Sequence, residues 1–220
     1  MDISLPGFGA LRQPGAARPG PGQGEGLPGD ADAYPDEYAQ ERPPFRICFV
    51  CSGNICRSPM AEYVLRRLAD EAGVGAELEI DSAGTGDWHI GERADRRTLT
   101  ALAAVGYDGA AHRARQFDSK WFTQLDLVIA LDRGHELTLR SWAADPEQQA
   151  SIWLLRRFDP AAGPSPAGSE LDVPDPYYDG PQAFASVLRL VERCCAGLLL
   201  HLQQLGVLEP RELVEPGDLV

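Results

Sequence analysis

Two kinds of segment alternate along the chain, distinguished by the spacing of their apolar residues. Short apolar runs rich in β-branched and aromatic residues are typical of parallel strands covered on both faces, and they predict strands at 45–50, 77–82, 125–131 and 151–155. Apolar residues spaced three and four apart predict helices at 58–72, 94–105, 132–143 and 182–205. Strands that alternate with helices predict an α/β fold with a four-stranded, parallel, doubly wound sheet flanked by helices.

Several details of the sequence refine the predicted helices. Asp132 is placed to cap the N-terminus of the third helix, and Gly106 to end the second. A loop rich in Pro, Gly and Ser is expected at 160–174. The last helix should bury one apolar stripe, formed by Phe184, Val187, Leu188, Val191, Cys195, Leu198, Leu202 and Leu205.

The apolar pattern is confined to the middle of the chain. Residues 1–44 contain eight glycines and eight prolines and show no helical or strand period. Such a composition buries too little apolar surface to offset the chain entropy, so we expect a disordered N-terminal tail. One globular domain is expected at 45–209, followed by a C-terminal tail at 210–220.

Charge and cysteine usage restrict the class of protein. The chain of 220 residues has a formal net charge of −13, which argues against nucleic acid and against an anionic membrane surface as partners. No apolar run approaches the ~20 residues that span a bilayer. The five cysteines are an odd number without the spacing of a disulfide framework, as in a reducing compartment. We therefore expect a soluble, cytoplasmic protein.

Residues 51–59, between the first predicted strand and helix, read Cys-Ser-Gly-Asn-Ile-Cys-Arg-Ser-Pro. So short a loop lets its N–H groups converge on one anion, and the helix that begins near Ser58 adds the positive end of its dipole. Arginine and a helix N-terminus both favour the thiolate of Cys51, and Arg57 offers a planar fork to two phosphoryl oxygens. The segment predicts nucleophilic attack on a phosphate, within a loop made of Ser52, Gly53, Asn54, Ile55, Cys56 and Ser58.

Attack on a phosphate ester also requires an acid for the leaving oxygen and then a base for water, and one carboxyl group can serve as both. The best candidate is Asp175, which lies between two prolines just before the last predicted helix. The adjacent Tyr177 and Tyr178 indicate a slot for a substrate that carries a ring. Asp172 and Asp179 are weaker alternatives for the acid.

These motifs together resemble the low-molecular-weight protein tyrosine phosphatase family, in particular its bacterial members. The resemblance rests on Cys51-x4-Cys56-Arg57-Ser58, with Gly53-Asn54 inside it, and on Asp175-Pro176-Tyr177. Segments 81–89 and 112–116 also resemble the family, so that the similarity covers about residues 45–205.

The resemblance implies a protein-tyrosine phosphatase, a hydrolase of phosphoric monoesters that acts on tyrosine-phosphorylated proteins. Cys51 would be the nucleophile that becomes a cysteinyl phosphate. Arg57 would bind the phosphate and stabilise the transition state, and Asp175 would be the general acid and then the base. The family uses no metal and no cofactor, so none is expected.

The resemblance also implies roles for residues around the nucleophile. Ser58 would hydrogen-bond the thiolate, and Asn54 would hold the loop in its strained shape together with Ser82 and His112. Trp88 and Tyr177 would form the walls of the cleft and set its depth. Phosphotyrosine could reach the bottom of such a cleft, and phosphoserine could not.

Three other functions are weighed against specific residues. Arsenate reductases share the fold and the Cys-x5-Arg loop but need two further downstream cysteines, and here none lies between Cys56 and Cys194. Phosphoarginine phosphatases of the family carry threonine where this chain has Ile55. A non-catalytic phosphotyrosine-binding module would be expected to lack the cysteine or the acid.

Cys56 suggests a response to oxidation. An accessible thiolate is readily oxidised, and a curled loop can bring Cys51 and Cys56 within the ~4.4–6.8 Å between Cα atoms that a disulfide requires. Peroxide would then drive a protective Cys51–Cys56 disulfide. The alternative is that Cys56 only packs under the loop.

Overall fold

A computed structural model describes residues 43–163 and 168–208. Four parallel strands form one sheet in the order β2-β1-β3-β4. They are β1 (Phe45–Cys51), β2 (Leu78–Gly84), β3 (Leu127–Ala130) and β4 (Ile152–Leu154). The predicted fold class is confirmed. The expected tails at 1–44 and 210–220 lie almost wholly outside the described residues.

Five α-helices connect and cover the strands within these residues. They are α1 (Arg57–Glu71), α2 (Arg96–Ala104), α3 (Arg133–Trp142), α4 (Pro146–Ala150) and α5 (Pro181–Gln204). Short 3₁₀ turns lie at Gly75–Glu77, Ser119–Thr123, Leu155–Phe158 and Gly168–Leu171. No helix in the described part of the chain combines the length and the apolar character needed to cross a membrane.

The sheet is covered on both faces, which explains why its central strands are apolar throughout. Ile47 and Phe49 of β1 belong to the larger core, which includes the buried sides of α1 and α5. Cys48 and Val50 point to the opposite face, where Leu139 of α3 closes a second core. A strand buried on both sides carries no polar alternation.

The structure differs from the sequence prediction in local details. Leu205 was expected in the apolar stripe of the last helix, but α5 ends at Gln204 and 41% of the Leu205 side chain is exposed. Helix α4 was not predicted, although Asp145 caps it and Pro146 occupies its first turn, both of which are start signals. Strand β3 begins two residues later than predicted, because the Leu125 N–H is bonded to the 3₁₀ turn at Trp121.

The fold brings three segments to the carboxyl edge of the sheet. The 51–57 loop follows β1, and Asp132 follows β3 and caps α3 by accepting the backbone N–H of His135. The Val173 N–H donates to the Leu131 carbonyl at 2.8 Å, which fixes the segment before α5 against the end of β3. Ligands of doubly wound sheets bind beyond this edge.

The first strand makes its own contacts from Phe45 onward. Phe45 pairs with Leu78 of β2, and the Arg46 N–H donates to the Asp126 carboxylate at 2.8 Å. We therefore expect that deletion of residues 1–44 changes the free energy of unfolding by no more than about 0.5 kcal/mol. Urea unfolding and turnover of a small aryl phosphate should match those of the full chain. A clear loss of either would mean that the deleted segment packs on the domain.

Candidate active site

The loop after β1 turns sharply at Asn54. Its φ of 56° lies in the left-handed region, and it is the one residue other than glycine with positive φ among those described. Asparagine tolerates this region better than most residues. The turn allows the chain to curl from Cys51 back to Arg57, where α1 begins.

The Asn54 side chain is fully buried and fully bonded. Its amide nitrogen donates to the hydroxyls of Ser58 at 2.9 Å and Ser82 at 2.8 Å. Its amide oxygen accepts the Arg115 N–H at 2.9 Å, and its backbone carbonyl accepts from His112 Nε2 at 2.7 Å. The structure therefore brings together the three residues expected to hold the loop.

Ser82 and His112 are supported in turn by a buried carboxylate. The Ser82 hydroxyl donates to Glu62, and His112 Nδ1 lies 3.9 Å from the same Glu62 oxygen. Burial lowers the pKa of His112, although its bond to the Asn54 carbonyl and the charge of Glu62 oppose this. Glu62 is bound on its outer side by Arg66 at 2.5 Å. The polar contacts beneath the loop thus extend from Asn54 towards the surface.

The backbone of the loop is bonded outward. The carbonyl of Cys51 accepts the Thr85 N–H at 2.8 Å, and that of Ser52 accepts the Gly86 N–H at 2.9 Å. On the other side of the loop, the Ile55 carbonyl accepts the backbone N–H of Asp95 at 2.9 Å. Since these carbonyls face outward, the concave side of the loop presents N–H groups, the arrangement that binds an anion.

Gly84 shows how closely β2 approaches this loop. A Cβ at this position would lie 2.6 Å from the Ser52 carbonyl oxygen, closer than such atoms approach in folded proteins. Any side chain here would displace the loop backbone, so that only glycine fits.

The predicted nucleophile contacts a hydroxyl that is itself oriented. Cys51 Sγ lies 3.0 Å from Ser58 Oγ, and Cys51 is only 2% exposed. Because Asn54 donates to Ser58, the hydroxyl proton is left for Cys51 or for the Ala83 carbonyl at 3.2 Å. With a thiolate at Cys51, the hydroxyl can therefore donate to sulfur.

Arg57 is held between two carboxylates at the rim of the loop. One terminal nitrogen donates to Asp132 at 2.7 Å and to the Val173 carbonyl at 3.1 Å. The other donates to Asp175 at 2.7 Å. The guanidinium is 4% exposed, so the protein fixes both its position and its plane. Arg57 thus connects Asp175 to the loop that starts at Cys51.

Asp132 was predicted only as a helix cap, yet it lies in the site. Burial would raise the pKa of this carboxyl, but His135 and the charge of Arg57 outweigh it and lower the pKa far below its usual range. His135 was not predicted to belong to the site at all. Its Nε2 lies 2.9 Å from Ser52 Oγ. The signal available in the sequence was the position of this histidine, three residues after the helix cap at the end of a strand.

The alternative acids occupy other environments. Asp172 forms an ion pair with Arg133 at 2.9 Å, which lowers the pKa of Asp172, and its contacts are made outside the loop. The backbone carbonyl of Asp179 accepts from Arg97 at 3.0 Å. Of the three aspartates, Asp175 is the one whose carboxylate is bonded to Arg57.

The predicted cleft residues are the exposed aromatics near this opening. Trp88 is 69% exposed, Tyr177 37% and Tyr178 92%. The two tyrosine rings pack edge to face with centroids 5.0 Å apart, and Arg97 lies over the Tyr177 ring at 5.6 Å. Tyr177 is therefore held in place, whereas Tyr178 points into solvent.

A separate open cleft of about 680 Å³ lies away from the loop. It is lined by Gln116, Phe117, Asp118, Ser119, Trp121 and Trp142. It contains none of the predicted site residues, and the convergence of Cys51, Arg57 and Asp175 is a better guide to the chemistry than cleft size.

Comparison with known proteins identifies the family. The family model for low molecular weight phosphotyrosine protein phosphatase matches residues 46–207. A "Low molecular weight protein-tyrosine-phosphatase" of Streptomyces coelicolor is 52% identical over 160 residues, which cover 73% of this chain and 94% of that protein. The "Low molecular weight protein-tyrosine phosphatase A" of Mycobacterium tuberculosis is 41% identical over 155 residues, 70% of this chain and 90% of that protein.

Solved structures point to the same family. Bacillus subtilis YfkJ has a TM-score of 0.65 at 35% identity, covering 73% of this chain and 96% of its own. An Entamoeba histolytica protein tyrosine phosphatase with Hepes in the active site has a TM-score of 0.66 at 29% identity, covering 73% of this chain and 97% of its own. The family expected from the motifs is confirmed: the chain belongs to the low molecular weight phosphotyrosine protein phosphatases.

Proposed function

We propose that this protein hydrolyses phosphotyrosine monoesters through a cysteinyl-phosphate intermediate, with Cys51 as nucleophile, Arg57 as phosphate ligand and Asp175 as acid and base. The observation that carries the proposal is the Arg57 guanidinium, which links Asp175 to the loop that starts at Cys51. A nucleophile, a fixed cation and a carboxyl group then share one opening. The relatives bear names that describe this activity.

In the first step, phosphate displaces the carboxylates that occupy the Arg57 fork. The N–H groups of the loop and the N-terminus of α1 complete its binding. Cys51 sulfur attacks phosphorus, the bond from phosphorus to the ester oxygen breaks, and Asp175 in its acid form donates a proton to the departing oxygen. Release of Asp175 from Arg57 places its carboxyl group beside that oxygen.

In the second step, the same carboxyl group acts in reverse. Asp175, now a carboxylate, takes a proton from water, the water oxygen attacks phosphorus, and the bond from phosphorus to sulfur breaks. Ser58 donates a hydrogen bond to the thiolate that leaves, because Asn54 directs the hydroxyl proton away from itself.

Tyrosine-phosphorylated proteins are the proposed substrates. Cys51 and Arg57 are nearly inaccessible, whereas Trp88 and Tyr177, which the family resemblance makes the walls of the cleft, are exposed. Between such aromatic walls a phosphotyrosine ring would reach the phosphate site, and the shorter phosphoserine would not. The proposed setting is the cytoplasm, where the protein would act in phosphotyrosine signalling.

Phosphoarginine is the second candidate substrate within the same chemistry. The position that distinguishes the two is Ile55, which is 8% exposed and packs in the larger core. Its apolar side chain offers the guanidinium of phosphoarginine no hydrogen bond. Turnover of matched phosphotyrosine, phosphoserine and phosphoarginine peptides separates the candidates, and we expect the phosphotyrosine peptide to be preferred.

Replacement of the nucleophile or the fork should stop the reaction. Cys51→Ser should reduce aryl phosphate turnover below detection while phosphate still binds, because the loop and Arg57 remain. Arg57→Lys should lower kcat by at least about 10²-fold, since a point charge cannot bind two oxygens at once. Cys48→Ala, a matched change at a fully buried cysteine, should retain turnover. Measurable turnover by Cys51→Ser would rule out the covalent mechanism.

Replacement of the acid should depend on the leaving group. Asp175→Asn should lower the rate by about 10²–10⁴-fold for esters that need protonation, and less for an ester whose leaving group departs as an anion. Asp172→Asn, which breaks an ion pair outside the loop, is the matched control and should show no such dependence. Equal losses for all esters would mean that Asp175 only positions the loop, and Asp179 would then be tested.

Redox control of Cys51 is the last part of the proposal. Peroxide converts the thiolate to a sulfenic acid, and Cys56 sulfur then attacks Cys51 sulfur while hydroxide leaves and takes the Cys56 proton as water. Burial raises the pKa of Cys56 to about 12, so this thiol is protonated at neutral pH and the second step should be slow. Both cysteines are free in the structure.

A Cys51–Cys56 disulfide predicts that peroxide inactivates the native protein reversibly, with a thiol reductant restoring activity. Cys56→Ser should lose activity permanently, because nothing traps the sulfenic acid before further oxidation. Cys194→Ser, at a buried cysteine of α5, should behave like the native protein. If Cys56→Ser recovers as fully as the native protein, Cys56 only packs beneath the loop.

A further inference from the structure

Two side chains beside the nucleophile have no role in the steps above. Ser52 follows Cys51 in the loop, and its hydroxyl lies 2.9 Å from Nε2 of His135. The same hydroxyl lies 3.5 Å from a terminal nitrogen of Arg57. Ser52 Oγ therefore stands between the imidazole and the guanidinium proposed to bind phosphate.

The other side of the imidazole faces a carboxylate. His135 Nδ1 lies 3.0 Å from Oδ1 of Asp132 without forming a hydrogen bond, and the same oxygen accepts the His135 backbone N–H at 2.9 Å. The second Asp132 oxygen holds Arg57. His135 is only 6% exposed, so the charge of Asp132 acts on the ring with little screening by water.

The direction of the Ser52 hydrogen bond depends on the tautomer and on the charge of this ring. In a neutral imidazole with its proton on Nδ1, towards Asp132, Nε2 can only accept, so Ser52 must donate its single proton to it. In a protonated imidazole, Nε2 donates to Ser52 instead. The Ser52 proton is then free to turn towards the concave side of the loop.

We propose that Ser52 is a further phosphate ligand and that His135 is its positioning residue, which in protonated form directs the Ser52 hydroxyl to a bound phosphoryl oxygen. This inference rests on the proposed function, since it assumes that the loop binds phosphate. A tetrahedral dianion then gains one hydrogen bond at low pH and loses it as the imidazole gives up its proton. The positive ring also offsets part of the charge of the dianion.

Groups from three segments, the 51–57 loop, the start of α3 and residues 172–175, act on the His135 ring. The negative charges are those of Asp132 and of a bound dianion, and the positive ones are those of Arg57 and of the N-terminus of α3. Arg133 is neutralised by its ion pair with Asp172. The charged and titratable groups to be considered are Cys51, Arg57, Asp132, Arg133, Asp172 and Asp175.

Sulfate is a suitable probe, because it remains a dianion over the pH range in which histidine titrates. Its dissociation constant would be measured by calorimetry and by competitive inhibition at a series of pH values. For the native protein we expect sulfate to bind about tenfold more weakly at high pH than at low pH through this contact, the size of one hydrogen bond to a charged group.

Four variants isolate the contact. Ser52→Ala and His135→Gln should each remove the same pH-dependent part of the sulfate affinity. The double variant should lose no more sulfate affinity than either single variant. Ser52→Thr keeps a hydroxyl and should restore the component. Ser141→Ala removes an exposed hydroxyl from α3, the helix that carries His135. This hydroxyl donates to the Thr138 carbonyl at 2.7 Å, and its loss should leave the pH dependence of sulfate binding unchanged.

Imidazole ¹⁵N shifts give a readout that a purely structural role would not change. Saturating sulfate should convert His135 from its neutral to its protonated form at a fixed intermediate pH in the native protein, and less so in Ser52→Ala. Thermal unfolding of each variant verifies that it is folded. If Ser52→Ala fails to fold, Ser52→Thr and His135→Gln provide the same comparison.

The inference is overturned if sulfate binding by Ser52→Ala keeps the native pH dependence. It is likewise overturned if the double variant loses as much sulfate affinity as Ser52→Ala and His135→Gln lose together. It is also overturned if sulfate leaves the His135 shifts unchanged. These results differ from a failure of the proposed function, in which the native protein itself would neither bind sulfate nor hydrolyse an aryl phosphate.

Discussion

The candidate site depends above all on the hydrogen bonds of one buried side chain. Asn54 lies with positive φ in the loop from Cys51 to Arg57, and its amide and carbonyl groups bind four residues drawn from α1, β2 and the 112–115 segment. An unpaired buried amide is costly, so the loop conformation that pairs every group is strongly preferred. The same bonds orient Ser58 towards Cys51. One constraint therefore sets both the shape of the anion cradle and the proton available to the thiolate.

Arg57 provides a second constraint, which is electrostatic. A nearly inaccessible guanidinium beside two carboxylates has its plane fixed before any ligand binds, so little reorganisation is needed on binding. In the proposed mechanism, a phosphate competes with Asp132 and Asp175 for the Arg57 guanidinium. The competition links phosphate binding to the release of the proposed acid, because the group displaced from Arg57 is the group that acts next. Asp132 keeps a further contact, with His135, and so connects the arginine to Ser52.

The sheet supplies the positions that both constraints require. Because β1 and β3 are parallel neighbours, the Cys51 loop and the Asp132 cap emerge at the same edge. The segment before α5 reaches this edge through one backbone bond, from Val173 to Leu131, and Arg57 binds the Val173 carbonyl from the other side. Asp175 is thus placed by a loop anchored at two points, although it is far from Cys51 in sequence.

The sequence by itself determined the alternation of strands and helices and the loop from Cys51 to Arg57, and it led to the proposal of Asp175 as the acid, since these depend on local period, spacing and residue chemistry. It failed where a residue's environment comes from distant segments. Asp132 carried a correct local signal as a helix cap, yet its pairing with Arg57 arises only from the packing of β3 beside β1. The contact of His135 with Ser52 spans 83 positions, so the position of His135 after the helix cap does not by itself reveal its partner. Leu205 matched the helical period but lies beyond the end of α5, because an apolar residue is buried only where another element covers it. Local interactions select the elements, and tertiary packing decides which polar groups meet.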